Sequence, residues 1–384
     1  MKSNRMIAWV ARVLLGLWLI GAVAAFAQQD INLPPRHDTQ SPTGVSFKTG
    51  AFFYDELDLS IGGLAQNGLE LRRNYQSSQS TGMSDNMEAQ GWSHNFVGLI
   101  ARNLRTYATN EMKPTNPAQI PLIYTVSIGG KSASFEAPQA VDPVGPFTAL
   151  SPEAQTLTFT KIGTGSPTSG SYFTFTDSDG SVLIYPYTGD IRLQSWTYPD
   201  GTKLDFTYTT SPSSNKVLKS IFSNRGYAFL FDGKTKTCAV NLAETYVTAT
   251  STCPVGAQAI TYAYTPGTFN PGVSTLTGAT DPLSNTTTYS YVGADHLGCI
   301  TLPGQATCQI SNTYNVCVAP PPPPAPPNVR WNDAVISQTT GTGETYTYSN
   351  PTYICVGSVG TSDTTTMTGP GSVTTQVTTN GSGR

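Results

Sequence analysis

A motif that occurs twice at an offset of 21 residues places the strongest limit on how this chain can fold. Both copies have the pattern aromatic-Thr-x-x-Asp-Gly-x-x-Leu-x-aromatic-x-Tyr, in residues 175–187 and 196–208. Asp-Gly favours a tight turn because glycine accepts a positive φ, and the strand that follows places Leu, the aromatic residue and Tyr on one face. Each copy therefore predicts a β-hairpin, and the repeated positions are Phe175, Asp179, Gly180, Tyr187, Trp196, Asp200, Gly201, Leu204, Phe206 and Tyr208.

Looser copies of the motif continue along the chain, each with aromatic residues at alternate positions after a turn-forming residue. Their tyrosine pairs are Tyr262 with Tyr264, Tyr289 with Tyr291, and Tyr346 with Tyr348. Between them, apolar and polar residues alternate in short runs, and no long segment has helical spacing. We predict an all-β fold, an array of β-hairpin repeats that forms a curved strip or part of a hollow β-shell.

The N-terminus has the order of a secretory signal peptide. Three basic residues precede an apolar run over residues 13–27, which ends in Ala25-Phe26-Ala27. The run is short for a bilayer span, so we predict cleavage after Ala27 and export to the periplasm, the medium or the surface of a bacterium. No later segment is apolar enough to span a membrane. The mature chain keeps 18 basic and 24 acidic side chains, and this net charge of −6 without basic clusters argues against a nucleic-acid partner.

Six cysteines lie in the second half of the chain, and an even number in an exported protein suggests disulfides. Sequence alone allows fifteen connectivities. We expect sequential pairing because it closes short loops: Cys238 with Cys253, Cys299 with Cys308, and Cys317 with Cys355. A metal site is not expected, since no CxxC occurs and the three histidines are far apart.

Composition and motifs divide the chain into five segments. They are a signal peptide at 1–27, an N-terminal β-rich module at 28–150, hairpin repeats at 151–318, a proline-rich spacer or inserted loop at 319–328, and a further repeat with a Thr/Ser/Gly-rich incomplete tail at 329–384. The proline tract favours polyproline II, and a spacer is preferred over a ligand for a proline-binding module. Because the tail has few large apolar residues, we expect it to cap the sheet poorly and the isolated chain to self-associate.

Residues 196–208 and 281–291 resemble YD repeats of the Rhs family. Residues 41–95 resemble the module that precedes such repeats, through the segments 42–45, 48–52, 58–63, 71–75 and 91–95. The order of these segments makes the resemblance specific, and it spans about residues 41–350. Its implied structure is a strip of hairpins coiled into a hollow shell, which in toxin-bearing members encloses a variable C-terminal effector. Within the module the motif residues are Arg73, Tyr75, Gly91 and Trp92.

This sequence departs from the family pattern in two ways. It is short, and it lacks the Asp-Pro-x-Gly segment that closes the shell, since the related turn at residues 281–284 has Ser284 where glycine is usual. No effector domain follows Gly343. The resemblance therefore implies an exported, non-catalytic shell or scaffold module whose partners are further Rhs repeats or an effector, downstream or in trans.

Residues with catalytic or metal-binding potential do not form a recognisable motif. No GxSxG, HExxH, Walker-type or dinucleotide-binding glycine pattern occurs. We interpret His94 as a packed structural histidine. The acidic residues 55, 56 and 58 are interpreted as an exposed strand face, and residues 177–180 as a hairpin turn, rather than as Ca²⁺ sites. We predict no enzymatic activity, no cofactor and no metal.

The tyrosines leave a second class of function open, a secreted or surface carbohydrate-binding or adhesion protein. Aromatic faces can stack on sugars, so glycans are possible partners. The regular period of the tyrosines favours an interior face that joins neighbouring hairpins. The two hypotheses differ in whether the repeat aromatics are buried or exposed.

Overall fold

The computed structural model describes residues 40–63, 68–78, 89–107, 112–129, 131–139, 142–150, 154–164, 170–187, 191–210, 216–268, 271–293, 295–318, 329–349 and 362–380. Within these ranges the chain forms 24 β-strands, two short 3₁₀ turns (Pro117–Gln119 and Pro370–Ser372) and no α-helix. The all-β prediction is confirmed. Over the same ranges no helix has the length and apolarity needed to cross a membrane. The predicted signal peptide and the proline tract lie outside the described residues.

The N-terminal module consists of two small antiparallel sheets. The first contains β1 (Phe53–Ile61), β2 (Leu69–Gln76) and β3 (Trp92–His94), and the second contains β4 (Gly98–Leu104), β5 (Leu122–Ile128), β6 (Lys131–Ala137) and β7 (Thr148–Ala149). Strand β2 alternates between buried and half-buried residues along its whole length. This period of two gives it one interior face.

The repeats build a 17-stranded antiparallel sheet, which we call the strip. Each strand pairs with its neighbours in sequence, and no pairing joins the last strand to the first in the described part of the chain, so the strip is open. Its strands are β8 (Thr156–Thr160), β9 (Tyr172–Thr176), β10 (Val182–Pro186), β11 (Ser195–Thr197), β12 (Lys203–Thr210), β13 (Lys216–Ser223), β14 (Tyr227–Asp232), β15 (Lys236–Asn241), β16 (Gln258–Pro266), β17 (Ser274–Thr280), β18 (Thr286–Val292), β19 (His296–Thr301), β20 (Ile310–Val318), β21 (Val329–Thr340), β22 (Thr345–Ser349), β23 (Ser362–Thr368) and β24 (Thr374–Asn380).

The two closest copies of the motif form hairpins with the same turn chemistry. In the β11–β12 turn Gly201 has φ +82°, and in the β9–β10 turn Gly180 has φ +86°. The carboxylate of Asp200 accepts a hydrogen bond from the amide of Thr202 at 2.9 Å. In the other turn the carboxylate of Asp179 accepts one from the amide of Ser181 at 2.7 Å. The Asp supplies a local acceptor and the Gly supplies the left-handed conformation, as the motif requires.

The module and the strip share one hydrophobic core. At β9 the ring of Phe175 lies 6.1 Å from that of Phe135 in the module. Far along the strip, at β22, the hydroxyl of Tyr348 lies 3.0 Å from the hydroxyl of Ser41. The strip therefore curves around the module, and its inner face is the one that carries the repeat aromatics.

The Thr-rich tail forms a regular hairpin, in which none of the side chains described for the last strand is buried. Strands β23 and β24 pair over seven residue pairs and continue the strip. Thr365 and Met367 are buried on the inner face. Threonine is β-branched and suits a pleated strand, so a low content of large apolar residues does not prevent pairing.

Candidate functional site

A buried arginine lies where the module meets the strip. The side chain of Arg73, on β2, is 2% exposed, and its Nη2 lies 3.3 Å from Oδ1 of Asp58 and donates a hydrogen bond to the hydroxyl of Tyr289 at 2.7 Å. The guanidinium carbon is 5.3 Å from the ring centre of Trp92, 5.8 Å from that of Tyr262 and 5.2 Å from that of Tyr289. Rings from both the module and the strip thus surround one buried cation.

Asp58 lies on the inner face of β1, next to a β-bulge. Glu56, two residues before it, pairs with the buried Arg73 and is itself half-buried. The face shared by Glu56 and Asp58 is therefore the inner one, and our prediction of an exposed acidic face is wrong for Asp58. The register shift between Leu57 and Leu59 brings Leu59 onto the same face, so that two consecutive side chains are buried. Asp58 supplies the counter-charge for the buried arginine.

Tyrosines of the repeats hold the module through their hydroxyl groups. Tyr262 donates to Oδ2 of Asp58 at 2.6 Å. The indole Nε1 of Trp92 donates to the hydroxyl of Tyr291 at 2.8 Å, and Tyr291 donates in turn to the carbonyl of Leu276 at 2.6 Å. These are the tyrosines that the repeat pattern singles out, and each of them lies on the inner face.

A backbone amide of the strip also binds the module. The amide of Leu297 on β19 donates to the hydroxyl of Tyr75 at 2.9 Å. Gly91 has φ +77°, and a Cβ there would lie 2.5 Å from the ring of Tyr75. The glycine of the module motif therefore leaves room for the tyrosine of the same motif. Together with Arg73 and Trp92, these residues place all four predicted motif positions at or next to this interface.

Burial controls the protonation of this cluster. Burial raises the pKa of the Asp58 carboxyl, while the Arg73 guanidinium and the Tyr262 hydroxyl act in the opposite direction. Burial alone would lower the pKa of Arg73, but Asp58 and the tyrosine hydroxyls raise it above its usual value. Burial, and then the neighbouring Asp58 carboxylate, raises the pKa of Tyr262. The Arg73 guanidinium, which remains charged, therefore favours the ionised form of Asp58, whereas burial favours the neutral form.

The other end of the interface is apolar. Tyr124 of the module packs at 5.6 Å from Phe173 and at 5.1 Å from Phe147. The hydroxyls of Tyr124 and Tyr185 are buried, and neither has a hydrogen-bond partner among the described residues. At this end the tyrosine rings contribute apolar packing, and their hydroxyls make no described hydrogen bond.

The remaining predicted repeat residues divide into two groups. Trp196 lies against Tyr198, with ring centres 4.9 Å apart, and is half-buried rather than central in the core. The fully buried members are Phe175, Leu204, Phe206, Tyr262, Tyr289 and Tyr348. The half-buried members that pack against the core are Tyr187, Trp196, Tyr208, Tyr264, Tyr291 and Tyr346.

The residues weighed as catalytic or metal-binding take structural positions. His94 is buried, its Nδ1 accepts the amide hydrogen of Phe96, and its ring stacks on Phe231 with centres 5.7 Å apart. Asp177 and Asp179 bind amides of their own turn. No group of three or more His, Cys, Asp or Glu side chains with metal-binding geometry occurs in the described ranges.

Two of the three predicted disulfides are confirmed. Cys238 pairs with Cys253, and Cys299 pairs with Cys308, with Cα atoms 5.8 and 5.5 Å apart. The third predicted pair involves Cys355, which lies outside the described residues.

Sequence reasoning missed the ion pair at the centre of the interface. A signal was present, because Arg73 follows Leu71 and precedes Tyr75 at alternate positions of one strand. A charged residue in register with buried apolar neighbours indicates a buried charge with a partner. Nothing in the sequence pattern marked Asp58 as that partner.

Comparison with known proteins gives one match to a family model. Residues 43–109 match DUF6531, a domain of unknown function. No curated protein sequence matches the chain.

Similar solved structures include crystal structures of TcdB2-TccC3 and a domain of an effector protein. The crystal structure of TcdB2-TccC3 matches 88% of this chain and 20% of its own chain, at 9% identity and a TM-score of 0.39. That of TcdB2-TccC3-TEV matches 73% of this chain and 16% of its own, at 11% identity and the same score. The N-terminal domain of the effector protein SpvB from Salmonella typhimurium strain LT2 gives 11% identity and a TM-score of 0.27, over 68% of this chain and 94% of its own. Scores this low do not establish a common fold, and this chain spans about a fifth or less of these TcdB2-TccC3 chains.

The matched residues 43–109 overlap residues 41–95, which carry the resemblance to the module, and they precede the repeats in sequence. The repeats in turn form hairpins with Asp-Gly turns and inward tyrosines, as their motif requires. The sequence motifs, the DUF6531 module and the antiparallel strip together support the resemblance of this chain to Rhs-type YD-repeat proteins.

Proposed function

We propose that this protein is an exported, non-catalytic shell or scaffold module, associated with a toxin-type effector or with further YD repeats. The observation that carries the proposal is the use of the repeat tyrosines. Tyr262, Tyr289 and Tyr291 hydrogen-bond to Asp58, to Arg73 and to Trp92 of the module. Side chains committed to internal contacts act in architecture, since they are not available to a substrate.

The inward position of the tyrosines also supports a scaffold over the adhesion hypothesis. A sugar-binding ladder needs aromatic faces that a ligand can reach, whereas Tyr262, Tyr289 and Tyr348 are each less than a tenth exposed. The exposed tyrosine of this region, Tyr246, lies in the loop after β15 and not on a repeat position. Export rests on the leader sequence, with Gln28 as the expected first residue of the mature chain.

Site-specific photo-crosslinking in the secreting bacterium tests the scaffold role. The probe p-benzoylphenylalanine replaces Thr378 on β24, which pairs with β23. Thr288 on β18, an exposed strand threonine in the middle of the strip, is the matched control. We expect Thr378 to capture a YD-repeat polypeptide or an effector, identified by mass spectrometry, and Thr288 to capture much less. Capture at neither position, together with binding to a glycan array, would favour the adhesion hypothesis instead.

A further inference from the structure

The loop between β15 and β16 crosses the outer face of the strip, which is the face turned away from the module. We call residues 242–257 the strap. They cover a second apolar cluster, separate from the shared core, whose buried members are Leu230, Cys238 and Val240. Phe229 and Phe231, the neighbours of Leu230 on β14, belong to the shared core. Strands β14 and β15 are therefore buried on both faces, and the strap provides the outer cover.

The strap is held by few attachments. No residue from 242 to 257 is itself buried. The hydroxyl of Ser220 donates to the carbonyl of Ala249 at 2.9 Å, and the amide of Cys253 donates to Oδ2 of Asp232 at 2.9 Å. A disulfide between Cys253 in the strap and Cys238 in β15 adds a covalent attachment. A segment with little buried surface of its own opens at low free energy unless it is tied down.

The other described disulfide has different surroundings. Cys299–Cys308 joins β19 to the residues just before β20 and closes a short exposed turn. Ile300, next to it, belongs to the shared core beneath the sheet. No separate apolar cluster lies under that turn in the described structure. The Cys238–Cys253 disulfide therefore attaches a segment that covers an apolar cluster, whereas the Cys299–Cys308 disulfide only closes a turn. The second bond can serve as a control for the first.

We propose that the Cys238–Cys253 disulfide is a redox-sensitive latch, whose reduction releases the strap and uncovers an apolar patch on the outer wall. The patch consists of Phe222, Leu230 and Val240. The strip stays folded, because β14 pairs with β13 and β15 pairs with β14 and β16 through backbone hydrogen bonds that do not involve the strap. In an oxidising space the strap stays attached and the patch is covered, and in a reducing compartment the strap is released and the patch is exposed.

The chemistry requires a dithiol reductant. One thiolate of the reductant attacks Sγ of Cys253, which is half-buried, whereas Cys238 is fully buried. The S–S bond breaks, Cys238 leaves as a thiolate and takes up a proton, and a mixed disulfide forms with Cys253. The second thiol of the reductant then attacks that mixed disulfide, so that Cys253 is released as a thiol and the reductant becomes a cyclic disulfide.

Amide hydrogen exchange on the full chain tests the latch. We compare the C238A/C253A variant with the C299A/C308A variant and with the wild type, with and without dithiothreitol. In C238A/C253A, and in the wild type after reduction, exchange of residues 242–257 is expected to rise by about tenfold or more, while strands β12 and β18 keep their wild-type protection. Binding of an apolar dye is expected to rise in parallel. The C299A/C308A variant should keep the strap protected until the reductant is added.

Two outcomes would overturn the proposal. If exchange of the strap does not change in C238A/C253A or on reduction, its noncovalent contacts hold it and the disulfide is not a latch. If exchange rises equally in all strands, the bond contributes global stability and nothing local. Should C238A/C253A not fold, reduction of the C299A/C308A protein, followed over time, still distinguishes local opening from global unfolding.

Discussion

The strip meets its module in two ways. Around β16 to β18 the inward residues are tyrosines whose hydroxyls contact charged or polar groups, as Tyr262 does with Asp58 and Tyr289 with Arg73. Around β9 and β10 the inward residues are packed as hydrocarbon, and the hydroxyl of Tyr185 is buried without a described partner. We call these the polar end and the apolar end of the interface.

The difference shows that the repeat motif and the module make separate contributions. The motif fixes which residues point inward, because alternation along a strand does so wherever the register is kept. What each inward ring does depends on the module residue opposite it. Where the module presents Arg73 and Asp58 the tyrosine hydroxyl is used, and where it presents Tyr124 and Phe135 only the ring is used.

The largest expected effect is at the polar end. Replacing Arg73 with Met leaves the Asp58 carboxylate buried without its counter-charge, and this should lower the free energy of unfolding by about 3–5 kcal/mol. The neighbouring Arg72 pairs with Asp55 at 2.6 Å on the surface, so Arg72→Met should cost at most about 1 kcal/mol. Urea denaturation of both variants measures the difference. Equal losses would mean that the buried pair has no special role.

A pair of Tyr→Phe substitutions tests the two ends directly. Tyr262→Phe removes the hydroxyl that donates to Asp58 and should cost about 1–3 kcal/mol, because a buried carboxylate oxygen loses its donor. Tyr185→Phe removes a buried hydroxyl without a described partner and should be neutral or slightly stabilising. Both changes delete one oxygen atom, so each serves as the control for the other. A larger loss from Tyr185→Phe would abolish the distinction between the ends.

Substitutions in the turns near the two ends should change the stability of the protein in opposite directions. Gly201, in the β11–β12 turn next to the apolar end, has φ +82°, and no atom lies within 4 Å of the position that a Cβ would take, so Gly201→Ala should cost about 1 kcal/mol through the backbone alone. Ser284, in a turn of the polar end, has φ +68° in a conformation that glycine prefers. Ser284→Gly should therefore stabilise the protein, by less than about 1 kcal/mol. Thermal unfolding of the two variants checks both signs.

The smallest expected effect is the acid sensitivity of the turns. Hydrogen bonds from Thr202 lower the pKa of Asp200, and hydrogen bonds from Asn285 lower the pKa of Asp281. A lowered folded-state pKa means that the unfolded chain binds more protons, so this stability is complete above the unfolded value of about 3.9 and is lost as the pH falls below it. The D200N/D281N variant should show a flatter loss of stability between about pH 4 and pH 2 in urea denaturation across that range.

Asp58 should contribute with the opposite sign. Its pKa is raised by burial, so the folded state binds the proton more tightly than the unfolded chain does. Its contribution is complete below the unfolded value and declines as the pH rises through the folded one. If the D200N/D281N variant loses as much stability in acid as the wild type does, the two turn aspartates are not the source of that loss.

The sequence by itself determined the fold class, the inward face and the chemistry of the turns. These are local properties, because Asp-Gly at residues 200–201 needs only its own backbone to turn, and alternation along a strand needs only its own register. The same reasoning predicted the two described disulfides, since short loops bring Cys238 near Cys253 and Cys299 near Cys308.

Only the tertiary structure decided which residues meet across the interface. Arg73 and Tyr289 are separated by 216 residues, and Asp58 and Tyr262 by 204. Their contact depends on how far the strip curves before β16 and β18 reach the module. Curvature accumulates from the twist and the bulges of many strands, and no single segment encodes it. The sequence therefore specified which residues face the interior, while the curvature of the whole strip decided which strip residue contacts which module residue.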